Sequence, residues 1–349
     1  MKQVIRYAGG ALLTGVLLWL VLRGKDPAAI GAALRAASFG GILLAAVLNL
    51  GHNIFRVIRW GLLLRPVRSE IPFRSRFSAV IVGYLTTWVI PGRLGEIVRP
   101  ALLSGRERIP FGPCVGSVVA DRLLDGVAVL ALFAVGTVFS PLDGARAERG
   151  AAIRTTAIGL VVVVSLVLGA LLLAGTARVR LSAWLERRSS AVLRWLGHSL
   201  LSLAEGTDSL RSPKLIAPIV LYSLLAWGAI SLGTWIGVRA SGADVPFSAI
   251  LVLLPFLALG VALPTPGGAG GYHAAMTFGL MRLFHVPEGV AVGAGVLMHL
   301  AVTLPVIVLG IVFLWVDGIT WADLRGMASQ VSGLGAGPSA SERPAEAVR

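Results

Sequence analysis

The stretch VIPGRLGEIVRP, residues 89–100, decides how this chain folds. It lies inside a long apolar region, yet Pro91, Gly92, Arg93, Gly95, Glu96 and Arg99 fall within a few residues of one another. A soluble loop holds such residues at no cost. In lipid, an arginine at the bilayer centre costs about 2.5–3.5 kcal/mol even on the most lenient insertion scale. Either the chain is soluble, or this is a break in a membrane segment with a task for its charges.

Composition removes the first option. Of 349 residues 56% are hydrophobic and only 14% charged, and the mean hydropathy is +0.83. Soluble domains carry about a quarter charged residues. Several windows reach the roughly 20 apolar residues needed to cross a bilayer. The net charge of +14 would suggest nucleic acid in a soluble protein. Here the arginines flank apolar spans, as membrane orientation requires, and no nucleic-acid partner is expected. The single cysteine, Cys114, excludes an internal disulfide and a cysteine metal cluster. No metal or other cofactor is expected. The apolar run Ala8–Leu22, behind Lys2 and Arg6, lacks a small-residue cleavage site and reads as an uncleaved signal anchor.

Clear spans cover 4–22, 39–60, 112–139, 152–175, 215–238 and 288–316. Two further apolar stretches, 77–104 and 247–284, are each broken in the middle, at Pro91-Gly92 and at PTPGGAGGY, residues 264–272. Each half is too short to span alone, so each stretch is a broken crossing helix or a hairpin. Flanking charge chooses the hairpin. Arg56, Arg59, Arg65, Arg68, Arg74 and Arg76 precede the first break, and Arg106 and Arg108 follow it. Both flanks then belong in the cytoplasm. The second break is flanked by Arg239 and Asp244 and by His285 and Glu288, an outside composition. The loop 23–38 lies outside on this topology, and both termini lie in the cytoplasm.

The arrangement repeats. IPF at 71–73 precedes the first broken stretch and VPF at 245–247 the second, while IPF at 109–111 and VPE at 286–288 open the following spans. The fold class expected is an all-α polytopic membrane protein, a helical bundle with two re-entrant hairpins in an inverted repeat. Repeat one covers about 39–139 and repeat two about 215–316, within a transmembrane domain over 1–326. Paired interrupted segments of this kind point to a transporter-type site near the midplane. Between the repeats, 178–210 carries Trp184, Leu185, Trp195 and Leu196 at helical spacing with arginines opposite. That suits an interfacial helix on anionic lipid of the cytoplasmic face, or an ordinary cytoplasmic helix packed on the protein. The tail 327–349, rich in Gly, Ser, Ala and Pro, reads as disordered and cytoplasmic.

If Pro91 ends the entering half-helix, the returning half starts near Gly92 with free backbone N–H groups aimed into the membrane. Arg93 adds a full charge there, and phosphate is the anion such a group holds best. In the second break Thr265 can cap and Pro266 can open a helix, while Gly267, Gly268, Gly270 and Gly271 allow close backbone approach to a ligand. The candidate substrate-binding set is Gly92, Arg93, Glu96, Arg99, Arg56, Arg59, Thr265, Gly267, Gly268, Gly270, Tyr272 and His273. Asp121, Arg122 and Asp125 read as structural ion pairs, since i, i+4 spacing puts both aspartates on one helix face. The pairings that suggest themselves are Glu96 with Arg59 or Arg93, and Asp121 or Asp125 with Arg99. His273 and His299 suit either proton relay or hydrogen-bonded structure. No catalytic constellation is found.

VIPGRLGEIVRPALL (89–103), VADRLLDGVAVL (119–130) and LPTPGGAGGYHAAM (263–276), with FRVIRWGLLL (55–64) ahead of them, resemble the flippase-like family that includes the membrane region of lysylphosphatidylglycerol synthases. The resemblance implies a helical bundle with re-entrant helices and movement of lipids or lipid-linked intermediates between leaflets. The chain resembles a stand-alone member, since no soluble synthase domain follows. The expected protein is an inner-membrane flippase or scramblase whose partner is a membrane phospholipid or lipid-linked sugar. No P-loop occurs, so ATP is not its direct energy source. The alternatives are a membrane glycosyltransferase, or an accessory subunit of an enzyme partner in a lipid-modifying or cell-envelope glycosylation pathway.

Overall fold

Proline and capping side chains set where the helices begin. In the computed structural model, which describes residues 12, 14–89, 94–140, 155, 159, 162, 166, 208–263, 265–324, 326 and 327, Asp26 accepts from the Ala28 N–H at 2.9 Å and starts α1, Pro27–Ala36. Ser38 accepts from the Gly41 N–H at 3.3 Å and starts α2, Phe39–Leu64. Pro72 precedes α3, Phe73–Val89. Helix α4, Gly95–Glu107, is followed by α5, Phe111–Phe139, with Pro110 at its N-cap. A 3₁₀ turn, Asp208–Arg211, leads into α6, Pro213–Ala240. Pro246 and Pro287 cap α7, Phe247–Ala262, and α9, Glu288–Val316. Between them lie the turn Pro266–Gly268 and α8, Ala269–Phe284. Among the described residues there is no strand.

The protein is an all-helical membrane protein. Helices α2, α6 and α9 are long and apolar enough to cross a bilayer. They leave Leu43, Val47, Leu221, Leu300, Leu304 and Ile311 exposed, a belt that a soluble protein would have buried. Helix α5 has 29 residues, long enough to span at 1.5 Å per residue. The anticipated bounds of these four spans differ from the observed ones by a few residues at most. Positions 14–22 are helical. The span 152–175 lies outside the described residues except 155, 159, 162 and 166, and 178–207 and 328–349 lie outside them altogether.

Both broken stretches form antiparallel helix pairs, α3 with α4 and α7 with α8. Each pair closes on facing glycines. A Cβ on Gly95 would stand 1.8 Å from the Gly83 carbonyl oxygen, and one on Gly271 would stand 2.1 Å from that of Gly260. The exits match as well. Arg108 and His285 both take φ of 52° at the C-caps of α4 and α8. Each is followed by a β-branched residue and a proline that starts the next long helix.

The two pairs enter the bundle from opposite ends. At the first end Arg68 donates to the Glu107 carbonyl at 2.7 Å. Arg74 and Arg106 each lie 2.7 Å from Asp317, just beyond α9, which also accepts from Ser78. Burial would raise the Asp317 carboxyl, but Ser78, Arg106 and Arg74 hold it below the usual carboxylate range. At the second end the Ser38 N–H donates to the Ala240 carbonyl at 2.8 Å and Lys25 lies 2.5 Å from Glu288.

Two local readings need correction. The 23–38 loop contains α1, whose Asp-Pro start is a regular capping signal that a short helix makes easy to pass over. Thr265 does not cap α8. A 3₁₀ turn intervenes, with Gly267 at φ 63° and Gly268 at φ 60°, so Gly268 holds the N-cap and the Thr265 hydroxyl stays buried without a partner.

These contacts predict that Gly95→Ala and Gly271→Ala each cost about 1–3 kcal/mol through overpacking. Gly51→Ala, with nothing within 4 Å of the added carbon, should be neutral or slightly stabilising. Thermal unfolding of the purified variants measures this. Equal melting of all three would show that the glycine contacts do not hold the pairs.

Candidate functional site

Charged side chains from three helices, α2, α4 and α5, meet at mid-depth. Asp125 is the fifteenth of the 29 residues of α5, and Arg56 and Arg59 lie in the last third of α2. Asp121 is fully buried. Its Oδ1 accepts from Arg59 Nε and Nη2 at 2.9 and 2.7 Å, and its Oδ2 from Arg99 Nη1 of α4 at 2.9 Å. Asp125 accepts from Arg56 Nη1 at 2.9 Å, Arg59 Nη2 at 2.7 Å and the Trp227 indole of α6 at 3.0 Å. Arg59 Nη1 donates to Ser223 at 3.0 Å, which uses the last free side of that guanidinium. The Arg99 guanidinium stacks over Trp60, 3.9 Å from the ring centroid.

Arg122 is held differently. Its nearest carboxylates are Asp125 at 3.2 Å, Glu96 at 3.3 Å and Asp121 at 3.6 Å, and Tyr84 accepts from it at 3.3 Å. Neither its Nε nor the facing Glu96 Oε2 makes a properly directed hydrogen bond, although the two are close enough for an ion pair. The side chain is 36% exposed, while Arg59 and Arg99 are closed off. Four guanidinium groups face three carboxylates, leaving one positive charge over.

The exposed side of Arg122 faces two adjoining cavities. The larger, about 470 Å³, has Asn49, His52, Arg56, Arg122 and Asp125 at one end and an apolar wall from α5, α6 and α7, including Val129, Leu130, Leu254 and Leu257. The smaller, about 170 Å³, lies between α2, α3 and α9 and is lined by Tyr84, Trp88 and Glu96. His52, Arg56 and Arg122 line both. The arrangement offers a cationic, hydrogen-bonding end joined to an apolar slot. Among the described residues no three His, Cys, Asp or Glu side chains converge as metal ligands would.

The second break lies beside the first. Added carbons on Gly267 and Gly268 would meet the Trp88 carbonyl at 3.7 Å and its ring at 3.1 Å. What these glycines admit is therefore the end of α3. At Gly270 the close neighbour is Leu17 of the N-terminal helical segment, 2.7 Å from an added carbon. Tyr272 lines the larger cavity. His273 and His299 stack with ring centroids 4.8 Å apart, and Tyr272 lies 5.4 Å from His299.

Of the residues singled out in the sequence, Arg56, Arg59, Glu96, Arg99, Asp121, Arg122 and Asp125 are thus in one cluster, and Tyr272 lies across the larger cavity. Thr265, Gly267, Gly268, Gly270 and His273 belong to the second break. Gly92 and Arg93 lie outside the described residues. Glu96 faces Arg122 and not Arg59. Sequence reading missed Tyr84 on α3 and Ser223 and Trp227 on α6, neutral residues with nothing in the sequence to tie them to the charged ones. It also missed His52 as a cavity residue.

The comparisons with known proteins agree with this architecture. The chain is similar, at 26% identity over 330 residues, to Glycosyltransferase AglD of Haloferax volcanii, an alignment covering 84% of this chain and 52% of that protein. The chain thus spans about half the length of that relative. The family model described as Lysylphosphatidylglycerol synthase TM region matches residues 7–310. With its helical hairpins and charged core matched along nearly their whole length, the chain belongs to the lysylphosphatidylglycerol synthase transmembrane-region family.

Proposed function

We propose that this protein moves a phosphate-bearing polar lipid or lipid-linked intermediate between leaflets of the cell membrane, without chemical change to the lipid. The observation that carries the reading is the larger cavity: a slot with a guanidinium end and an apolar wall is the complement of an amphipathic anion. Arg122 is the group to receive the phosphate. It is loosely held, it faces both cavities, and it belongs to a cluster with a positive charge to spare. Arg56 stands beside it, while Arg59 and Arg99 position the cluster. Arg93 remains a further candidate for headgroup contact from the sequence. The two helical pairs are read as re-entrant hairpins, since α3, α4, α7 and α8 have 17, 13, 16 and 16 residues against the roughly 20 that cross a bilayer.

A second reading rests on the relative's name. A glycosyltransferase, or the membrane partner of one, would use the same slot to hold a lipid-phosphate donor. Liposomes reconstituted with a labelled phospholipid separate the two. Transbilayer movement with the lipid recovered unaltered supports transport, whereas a lipid changed in mass only when sugar donor is present supports the enzyme.

Charge balance predicts how the arginines divide. Arg122→Ala leaves three guanidinium groups with three carboxylates, so the protein should melt near the wild-type temperature and lose transport. Arg122→Lys should be intermediate, keeping the charge but not the fork. Asp121→Asn should instead destabilise by about 3–5 kcal/mol, since it leaves Arg99 buried without a carboxylate and Arg59 with Asp125 alone. An active Arg122→Ala protein would reject the assignment of Arg122.

The end that carries Arg65, Arg68, Arg74, Arg76, Arg106 and Arg108 is assigned to the cytoplasm. With Cys114 replaced by serine, a cysteine at Glu70 should react with an impermeant maleimide only from the cytoplasmic side. One at Asp244 should react only from outside. The reverse pattern would invert the protein, and labelling of both from one side would remove the opposed hairpins.

A further inference from the structure

Away from the central cluster, a separate polar cavity of about 270 Å³ opens at the basic end, between the end of α2, the connection to α3 and the first turn of α3. Arg65, Ser69, Glu70 and Arg76 line it, with Gly61 at its base. Arg76 is held in place there. Its Nη1 donates to the Val57 carbonyl at 3.0 Å, and its guanidinium carbon lies 5.9 Å from the Phe73 ring centroid. A side chain at position 61 would stand 1.5 Å from Nη1, so glycine is what lets the guanidinium cross α2. Nε of Arg76 is buried with no partner.

Arg76 is half-buried, whereas Arg65, Ser69 and Glu70 around it are exposed. Arg56, Arg59, Arg99 and Arg122 each have at least one carboxylate within 4 Å. Among the described residues neither Arg65 nor Arg76 is in such an ion pair, although Glu70 lines the same cavity. A partly buried cation beside a like charge is unfavourable unless an anion joins them. The cavity has room for a tetrahedral oxyanion with a small substituent, and two arginines with a serine hydroxyl supply the donors it needs.

We propose that this cavity is a phosphate-binding site, taking a phosphate monoester or diester between Arg65 and Arg76. It is distinct from the central cluster's two cavities, with which it shares no lining residue, and Arg65, the C-cap of α2, lies six residues beyond Arg59, about 9 Å at 1.5 Å per residue. The site holds whether or not the protein moves lipid. Partly buried Ile58 and Leu62 at its rim give the phosphate of a lipid a place to rest its glycerol and first carbons.

The test uses the purified full chain in neutral detergent. Native mass spectrometry follows retention of phosphatidylglycerol against phosphatidylcholine, and thermal unfolding follows inorganic phosphate. Arg65→Gln/Arg76→Gln keeps size and polarity while removing both charges. It should retain one phosphatidylglycerol fewer than wild type, or lose phosphate stabilisation, with affinity down about tenfold or more for the charged hydrogen bonds lost. Loss of phosphatidylglycerol alone identifies a lipid headgroup as the source, and loss of the inorganic phosphate effect identifies a free anion. Glu70→Gln should tighten binding by removing a competing carboxylate. The Arg65/Arg76 change should remove its phosphatidylglycerol or phosphate effect in an Arg122→Ala background as well as in the wild type, so failure of the central assignment and failure of this one read differently. Equal retention of both ligands by the wild type and the Arg65/Arg76 variant overturns the proposal, as does a wild type that binds neither.

Discussion

Asp121 is the residue through which the membrane interior of this protein is organised. In lipid there is little hydrophobic drive to bring helices together, so packing and interhelical polar bonds must do so. The Asp121 carboxylate on α5 joins Arg59 on α2 to Arg99 on α4 with bonds of 2.7–2.9 Å. Helix α4 has only 13 residues and an overall polar composition. Its attachment to α5 through Arg99, and to α3 through the Gly83–Gly95 contact, is what keeps it in the bundle. Asp125 repeats the device one turn on, tying α2 to α6 through Arg59 and Trp227. Everything offered to a ligand is left over from this arrangement.

Much of the scaffold was legible because its signals are local. Proline ahead of Phe73, Phe111, Phe247 and Glu288 marks four helix starts, and Pro91-Gly92 and the stretch 264–272 interrupt apolar runs visibly. The i, i+4 spacing of Asp121 and Asp125 put both carboxylates on one face. Which arginines that face would meet was not legible. Arg59 and Asp121 are 62 positions apart, and only the packing of α2 on α5 brings them together. The glycines of the second break illustrate the same limit. A run of glycine says that something approaches closely, but not whether it is a ligand or, as at Gly268 and Gly271, another helix.

The two helical pairs share a backbone plan and differ in chemistry. Both close on facing glycines, and both leave through a left-handed residue followed by a β-branched residue and proline. The matched geometry means that the glycines and prolines serve the architecture twice. The charges were placed once. Glu96 and Arg99 of α4 join the ion cluster, whereas α8 brings Tyr272 to the opposite wall. On the proposed reading, a phosphate bound at Arg122 has a fixed cationic cluster on one side and, on the other, a cavity wall to which α7 and α8 contribute uncharged side chains.

That asymmetry bears on how tightly a substrate can be held. A transport site must bind well enough to admit its ligand and loosely enough to release it. An isolated arginine in this interior would be prohibitively costly when empty, and one saturated like Arg59 would have nothing to offer. Arg122 lies between these limits. Three carboxylates at 3.2–3.6 Å stabilise it without occupying its donors in good geometry. On the proposed reading, an arriving phosphate exchanges for Glu96 and does not have to neutralise a bare charge, and Glu96 can reclaim the guanidinium when the phosphate leaves. The energy of binding is then a difference between two ion pairs. That keeps it small in either direction, while the surplus charge keeps its sign in favour of the anion.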